Sequence, residues 1–301
     1  MEQALTVTLL ARAKINLYLD ILSRRENGYH NIQSIMQTVD LCDTVTLTRR
    51  TPGKGIHIET DAEGLPNDRR NLAWRAAEQF SVLLGAVPDV SIRIEKRIPM
   101  AAGLGGGSAD AAAVLRGLNR LYRTDVPTSE LCELGSRLGA DIPFCIAGGA
   151  MVAEGIGEIL TPCRGLSERF FVTVACGGEG VSTPEAYGAL DSMYGNFAKP
   201  RAVGAHFAPL HAALATDDLR KIGTHMFNIF EQAVLPTHSV APRLLTAMRE
   251  SGSVAAMMSG SGPSVFGLFA EEAMARTAAE RIGNDLGIRA FVTRPVNCYD
   301  D

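Results

Sequence analysis

The sequence predicts an α+β chain folded as two packed lobes. Strand-like and helix-like segments are mixed without the strict strand–helix–strand rhythm of a doubly wound sheet. At 301 residues the chain can fill one large domain or two ordinary ones. A polar, turn-forming stretch, TPCRGLSER at 161–169, interrupts the pattern near its middle. We place the boundary there, which divides the chain into 1–165 and 166–301.

The elements follow in order. Residues 11–21 alternate, with Ala11, Ala13, Ile15, Leu17, Leu19 and Ile21 on one face and Arg12, Lys14, Asn16, Tyr18 and Asp20 on the other. A period of two predicts a half-buried strand. Further strands are expected at 44–48, 56–60 and 90–94, with the turn TPGKG between the first two. Apolar spacing predicts a helix over 72–84, capped by Asn71. Helices are also expected at 108–122 and at 129–138, the latter closing on Gly139 as a left-handed cap. After the boundary come a strand at 170–175, helices near 217–235 and 240–250, and strands near 254–258 and 264–269. A helix at 271–283 and a strand near 288–293 complete the chain. Residues 191–215 carry no readable period.

Composition narrows the function. A hydrophobic fraction of 46% and a charged fraction of 21% describe a globular protein with a sizeable core. The net charge of -4, with no cluster of Lys and Arg, argues against a nucleic-acid groove or an anionic membrane as partner. Six scattered cysteines without a CxxC pair read as buried thiols in a reducing compartment. Six histidines without HExxH-type pairing argue against a protein-bound zinc. The N-terminal stretch has neither a basic region nor an apolar run long enough for a signal or an anchor. The cytoplasm is the expected compartment.

The most informative stretch is PMAAGLGGGSADAA at 99–112. From Ser108 onward the apolar residues Ala111, Val114, Leu115, Leu118, Leu121 and Tyr122 form a helical stripe, with Ser108 where an N-cap belongs. Gly103, Gly105, Gly106 and Gly107 let backbone N–H groups approach an anion, and the helix dipole adds to that. Phosphate is the ligand this chemistry favours; a flexible loop that merely starts a helix is the alternative. A Walker A loop would need a lysine after the glycines, and a Rossmann loop an acidic residue about 20 positions on. Neither pattern fits.

Four other features are open to two readings each. Lys14 and Asn16 sit two apart on one strand face, about 6.6 Å between Cα atoms, and can grip hydroxyls and phosphate oxygens or simply be solvated. Asp141, in LGADIPF, stands two before Pro143, which should hold Ile142 extended. That carboxylate can be chemical or turn-forming. NGYH at 27–30 should expose Tyr29 and His30, as a platform for a flat base or as hairpin filler. MSGSGPSVF at 258–266 is a second small-residue loop, which packs on the first or only turns the chain.

In this order the segments AKINLYLDILSRRENGYH, KRIPMAAGLGGGSADAA, LGADIPF and MSGSGPSVF resemble the motif regions of the GHMP small-molecule kinases. The resemblance is dense from 11 to 153, thins from 177 to 225 and returns at 255–269. The first segment and the Asp turn resemble specifically the branch that phosphorylates a cytidine diphosphate sugar alcohol in non-mevalonate isoprenoid synthesis. The resemblance implies an N-terminal ATP-binding lobe like ribosomal protein S5 domain 2 and an α+β C-terminal lobe. It implies ATP and Mg²⁺ as cofactors, and a monomer or weak homodimer without nucleic-acid or membrane partners.

By the same resemblance the phosphates would lie along Pro99, Met100, Ala101, Ala102, Gly103, Leu104, Gly105, Gly106, Gly107, Ser108 and Ala109, with Ser108 near phosphate or Mg²⁺. Lys14 and Asp141 would flank the reacting hydroxyl, and Asn16 would hold the sugar alcohol. Tyr29 and Tyr187 would sandwich the cytosine, with His30 hydrogen-bonding it. Ala109 stands where a second serine is common, and Ala101 and Ala102 where glycine is frequent. A homoserine- or mevalonate-type kinase would share the loop without needing the cytosine clamp. A nucleotide-binding regulator would have no use for both Lys14 and Asp141.

Overall fold

The computed structural model describes residues 5–202 and 204–299. The chain forms two compact units interleaved in sequence. The first comprises residues up to 13, 42–100 and 105–147; the second comprises 14–41, 101–104 and 148 onward. A single cut near 165 therefore does not separate the compact units. The reason lies in two long strands, β1 (Thr6–Arg24) and β2 (His30–Arg49), each of which contributes to both.

The first unit adds β3 (Ile56–Thr60), α1 (Leu72–Gln79), α2 (Ser81–Leu84), β4 (Val90–Glu95), α3 (Gly106–Tyr122), α4 (Thr128–Ser136) and α5 (Ile142–Ala147). Its strand order is β3-β4-β2-β1. β4 runs antiparallel to β2, with Val45 opposite Ile94, and parallel to β3. Val45, Leu47, Ile58, Val90 and Ile92 are buried along this sheet. α3 packs close to it at Gly117, where a Cβ would come within 2.4 Å of Leu47 Cδ1 and 2.8 Å of Leu9 Cδ1. Asn71 caps α1 as expected, its Oδ1 accepting from the Ala73 N–H at 2.9 Å. The helix expected through 84 breaks at Phe80, whose ring is fully buried.

The second unit contains β5 (Ala150–Glu154), β6 (Ile159–Pro162), β7 (Phe171–Ala175), α6 (Thr183–Met193), a 3₁₀ turn (Gly195–Phe197), α7 (Phe207–Thr216) and α8 (Leu219–His225). It continues with β8 (Phe227–Asn228), α9 (Glu231–Val234), α10 (Ala241–Glu250), β9 (Ala255–Met258), β10 (Val265–Phe269), α11 (Glu272–Leu286), β11 (Ala290–Thr293) and β12 (Pro295–Val296). Within it β1 pairs parallel to β8, and β2 pairs antiparallel to β5 and β12. A separate antiparallel sheet, β11-β7-β10-β9, packs against α10 and α11. Its core gathers Phe230, Leu244, Met248, Val265 and Ile282.

Several local expectations are corrected. β1 is buried on both faces from Ala13 to Ile21, not half-buried, because its polar side chains pair inside the protein. Gly139 is not a left-handed cap; the chain turns directly into α5, and Ile142 N–H donates to the Gly139 carbonyl at 3.2 Å. Ile142 is accordingly helical rather than extended. Pro143 sits in the first turn of α5, where its missing N–H leaves no hydrogen bond unmade. The helix expected over 217–235 is interrupted by β8, whose Asn228 side chain is committed to a neighbouring loop. Of the six cysteines only Cys145 is buried, Cys298 is exposed and the other four are half-buried. Among the described residues no helix is long and apolar enough to cross a membrane.

Candidate active site

The two glycine-bearing loops meet inside the second unit. Ser259 Oγ donates to the Gly103 carbonyl at 3.1 Å, and the Ser264 N–H donates to the Ala102 carbonyl at 3.3 Å. A Cβ at Gly103 would stand 2.2 Å from the Ser259 carbonyl oxygen, and the backbone there has φ +74°. Both facts require glycine. Asn228 braces the second loop from behind, donating to the carbonyls of Met258 and Gly260, each at 2.8 Å. The loop at 258–266 thus packs on the first rather than only turning the chain.

The helix that follows the first loop starts earlier than Ser108. Gly105, left-handed at φ 70°, is the N-cap of α3, and no side chain caps it. Glycine takes this conformation without the Cβ penalty, so helical geometry begins at Gly106 and Ser108 falls inside the first turn. The first-turn N–H groups of Gly106, Gly107 and Ser108 have no intrahelical acceptor, and they stand at the positive end of a 17-residue helix. Ala101 is also left-handed, at φ 50°, at a position where the resemblance leads one to expect glycine.

Beneath that first turn, still within the first unit, lies a buried ionic cluster that sequence reading missed. Lys96 Nζ donates to Asp43 Oδ2 at 2.5 Å and to Asp110 Oδ2 at 2.7 Å. Asp43 Oδ1 also accepts the N–H groups of Arg97, at 2.5 Å, and Ile98, at 2.8 Å. Asp110 has no such support, and among the described residues its Oδ1 is a buried atom without a hydrogen-bond partner. A Cβ at Gly106 would meet Ile98 Cγ2 at 3.1 Å and Lys96 Nζ at 3.5 Å, so the cluster seats the loop-to-helix junction.

Two carboxylates around one ammonium cannot both be ionised cheaply in a buried place. Asp43 is satisfied by three donors. Desolvation pushes the Asp110 carboxyl up to about 7, against the pull of Lys96 and with the help of Asp43. Burial works against the charge on Lys96, but the two aspartates outweigh it and raise its pKa further. The sign for stability follows. The folded state holds a proton on Asp110 that the unfolded chain releases near pH 4, so this group's contribution falls as pH rises from about 4 to 7. Asp110→Asn copies the neutral form. Its melting temperature relative to the parent protein should therefore climb across that window, and a difference that stays flat with pH would refute the assignment.

Along β1, in the second unit, the expected sugar-binding face is an internal row. Lys14 is 5% exposed and Asn16 1%. Lys14 Nζ donates to Asn16 Oδ1 at 2.9 Å, Asn16 Nδ2 to Ser34 Oγ at 2.9 Å, and Ser34 Oγ to the Tyr18 carbonyl at 2.6 Å. The Lys14 N–H donates to the Leu104 carbonyl at 2.9 Å, which ties the strand to the glycine loop through main chain alone. A solvated strand face is thereby excluded.

Tyr29 stands out from the turn, 59% exposed, its N–H held by Asn27 Oδ1 at 3.1 Å. His30 is buried rather than exposed, because three groups of the second unit enclose it. Its ring stacks on Tyr187 at 4.7 Å between centroids and meets the edge of Phe197 at 5.7 Å. Its Nε2 pairs with Asp191 Oδ1 at 2.7 Å. Asp191 lay in the stretch without a readable period, yet it falls four residues after Tyr187, one turn along the same face of α6. That spacing was the available signal. In the first unit, Asp141 is half-buried immediately before α5, its carbonyl accepting the Cys145 N–H at 3.1 Å.

Residues 71–149 match the family GHMP kinases N terminal domain, and residues 210–288 match GHMP kinases C terminal. The chain is a GHMP kinase. It is 43% identical over 276 residues to a 4-diphosphocytidyl-2-C-methyl-D-erythritol kinase of Alkaliphilus metalliredigens, covering 92% of each chain. It is 40% identical over 289 residues to a kinase of the same name from Gloeobacter violaceus, covering 96% of this chain and 94% of that one. A crystal structure of 4-(cytidine 5'-diphospho)-2C-methyl-D-erythritol kinase superposes on this GHMP kinase with a TM-score of 0.79 at 33% identity, covering 96% of this chain and 99% of that chain. The expectation of an α+β GHMP kinase fold stands, and the protein is an ATP-dependent small-molecule kinase.

Proposed function

We propose that this GHMP kinase transfers the γ-phosphoryl group of ATP to the 2-hydroxyl of 4-diphosphocytidyl-2-C-methyl-D-erythritol. The observation that carries the reading is 43% and 40% identity, over 92% and 96% of this chain, to kinases of that name. The buried, hydrogen-bonded Lys14–Asn16 row and the aromatic group around His30 supply chemistry suited to such a substrate.

Phosphoryl transfer needs positioning and charge neutralisation more than covalent help. The N–H groups from Gly103 to Ser108 hold phosphate oxygens against the positive end of α3. Asp141 orients the attacking hydroxyl and receives its proton as the new P–O bond forms. Lys14 steadies the negative charge that builds on the transferred group, and Asn16 keeps that ammonium in place. Mg²⁺ bound with the nucleotide would lower the charge on the triphosphate. Among the described residues no group of three or more His, Cys, Asp or Glu gathers as a metal cage. A metal that arrives with the nucleotide needs few protein ligands, and the Ser108 hydroxyl fits that requirement. The sequence division near 165 separates the two matched family regions, and we assign nucleotide binding to the first.

Substrate-dependent ADP release tests the proposal. Turnover should require the cytidine diphosphate sugar alcohol, and robust turnover of mevalonate or homoserine in its place would overturn the reading. Tyr29→Ala should weaken binding of the cytidine substrate by about 1–3 kcal/mol, as for other bases stacked on aromatic rings. The ring is exposed, so the melting temperature should stay put. Calorimetric titration checks this, and an unchanged Kd would remove the stacking role.

A further inference from the structure

The second loop is gripped on both sides of Met258, and the grip comes from two residues three apart. Glu231 Oε1 accepts the Met258 N–H at 2.7 Å, and Asn228 Nδ2 donates to the Met258 carbonyl at 2.8 Å. The other amide hydrogen of Asn228 goes to the Gly260 carbonyl, also at 2.8 Å, while its Oδ1 accepts the Phe230 N–H at 3.0 Å. With its acceptor and both donors engaged, this 2% exposed amide has a single orientation that satisfies every partner. The stretch that carries it is itself fixed. β8 pairs with β1, Asn228 opposite Leu19, and the Ile229 N–H donates to the Leu19 carbonyl at 2.9 Å.

The loop so held lies directly on the backbone at 102 and 103. Ser259 Oγ and the Ser264 N–H donate to the Gly103 and Ala102 carbonyls. A Cβ at Gly260 would stand 2.9 Å from the Gly103 carbonyl oxygen, and one at Gly103 would stand 2.2 Å from the Ser259 carbonyl oxygen. Main chain meets main chain, with no flexible side chain between them to absorb a shift, so movement of Met258 is passed to Gly103. All of these residues belong to the second unit.

We propose that Asn228 and Glu231 are positioning residues for ATP, holding the second loop so that Gly103 keeps the left-handed turn that opens the phosphate loop. Their role rests on the reading given above, in which the N–H groups from Gly103 to Ser108 hold phosphate oxygens. Donors already in place need no ordering when the anion arrives, so a looser grip appears as weaker nucleotide binding.

Calorimetric titration of the whole protein with Mg²⁺–ATP, and separately with the cytidine diphosphate sugar alcohol, tests this. Asn228→Asp keeps the size of the side chain but turns an oxygen toward two carbonyl oxygens. The Kd for ATP should rise about tenfold to a hundredfold, the equivalent of two lost hydrogen bonds. The Kd for the sugar alcohol should stay near that of the parent protein. Glu231→Ala should weaken ATP in the same selective way by a smaller factor. Glu231→Gln, whose amide oxygen still accepts the Met258 N–H, should recover the parent Kd. This pair carries the test should Asn228→Asp fail to fold. A grip that served folding alone would lower the binding stoichiometry without moving the Kd for ATP. That result, or an equal loss of affinity for both ligands, would overturn the proposal. Gly105→Ala separates it from the reading beneath it, because it puts a methyl into the left-handed N-cap of α3, outside the grip. Unchanged ATP affinity in Gly105→Ala would bring down the phosphate-loop reading and the roles of Asn228 and Glu231 with it. Weaker ATP binding in Gly105→Ala, with parent affinity in both Asn228→Asp and Glu231→Ala, would bring down those two roles alone.

Discussion

Asp141→Asn should lower kcat by about 10²–10⁴, the range typical of a positioned proton acceptor. Asparagine matches aspartate in size and keeps one acceptor oxygen, but it cannot take a proton. The backbone there is held by main-chain bonds, Cys145 N–H to the Asp141 carbonyl at 3.1 Å and Ile142 N–H to the Gly139 carbonyl at 3.2 Å. Neither depends on the side chain. The loss should therefore appear in turnover, with the melting temperature and the KM for ATP close to those of the parent protein. A carboxylate is far too weak a base to remove an alcohol proton in advance, since aqueous aspartate titrates near pH 3.9 and water near 15.7. It works only as bonding to phosphorus acidifies the hydroxyl, so the effect belongs to the transition state and to kcat. Asp141→Glu, which keeps the chemistry and shifts its reach by one methylene, should fall between the two. Near-normal ADP release by Asp141→Asn would remove the role.

Much of the local geometry at the candidate site was legible in the sequence because its signals are local. Alternation along 11–21 placed Lys14 and Asn16 on one face, and their hydrogen bond is a consequence of that two-residue spacing. Glycines at 103 and 105 announced positive φ, which both adopt. What stayed hidden depends on distant parts of the chain. Nothing near Lys96 in the sequence says that Asp43 and Asp110 will enclose it, since they come from β2 and α3. His30 read as an exposed loop residue because its three neighbours, Tyr187, Asp191 and Phe197, all lie more than 150 positions away. The strand at 30–49 was visible only at its C-terminal end for a related reason. Its first half carries Gln33, Ser34, Gln37 and Thr38, all buried, which erases the apolar–polar contrast that betrays a half-buried strand. Ser108 was placed one turn too late because N-cap statistics favour serine. They were outweighed by a glycine that alone could take the left-handed turn at 105.

Lys14→Met should lower kcat about 10²–10³-fold, the loss seen when one preorganised electrostatic group is taken from a transition state. Methionine fills nearly the same volume as the lysine stem, so the variant removes the charge while sparing the packing around a 5% exposed side chain. The Leu104 carbonyl keeps its bond, because it is made to the backbone N–H of residue 14. Asn16 Oδ1 loses its donor. An acceptor stripped of its partner in a buried row costs about 1–3 kcal/mol, so a fall in melting temperature is expected beside the kinetic loss. The two effects can be separated by Asn16→Leu, which breaks the same hydrogen bond but leaves the ammonium. If the charge acts on the transferred phosphoryl group, Asn16→Leu, which also removes the bond to Ser34 Oγ, should destabilise at least as much as Lys14→Met yet retain more of kcat, its main defect lying in KM for the sugar alcohol. Lys14→Arg restores charge but brings a planar fork in place of a compact ammonium, and so should recover stability less well than its charge alone would suggest. Equal kcat for Lys14→Met and the parent protein would show that the buried ammonium serves the fold of β1 and not the reaction.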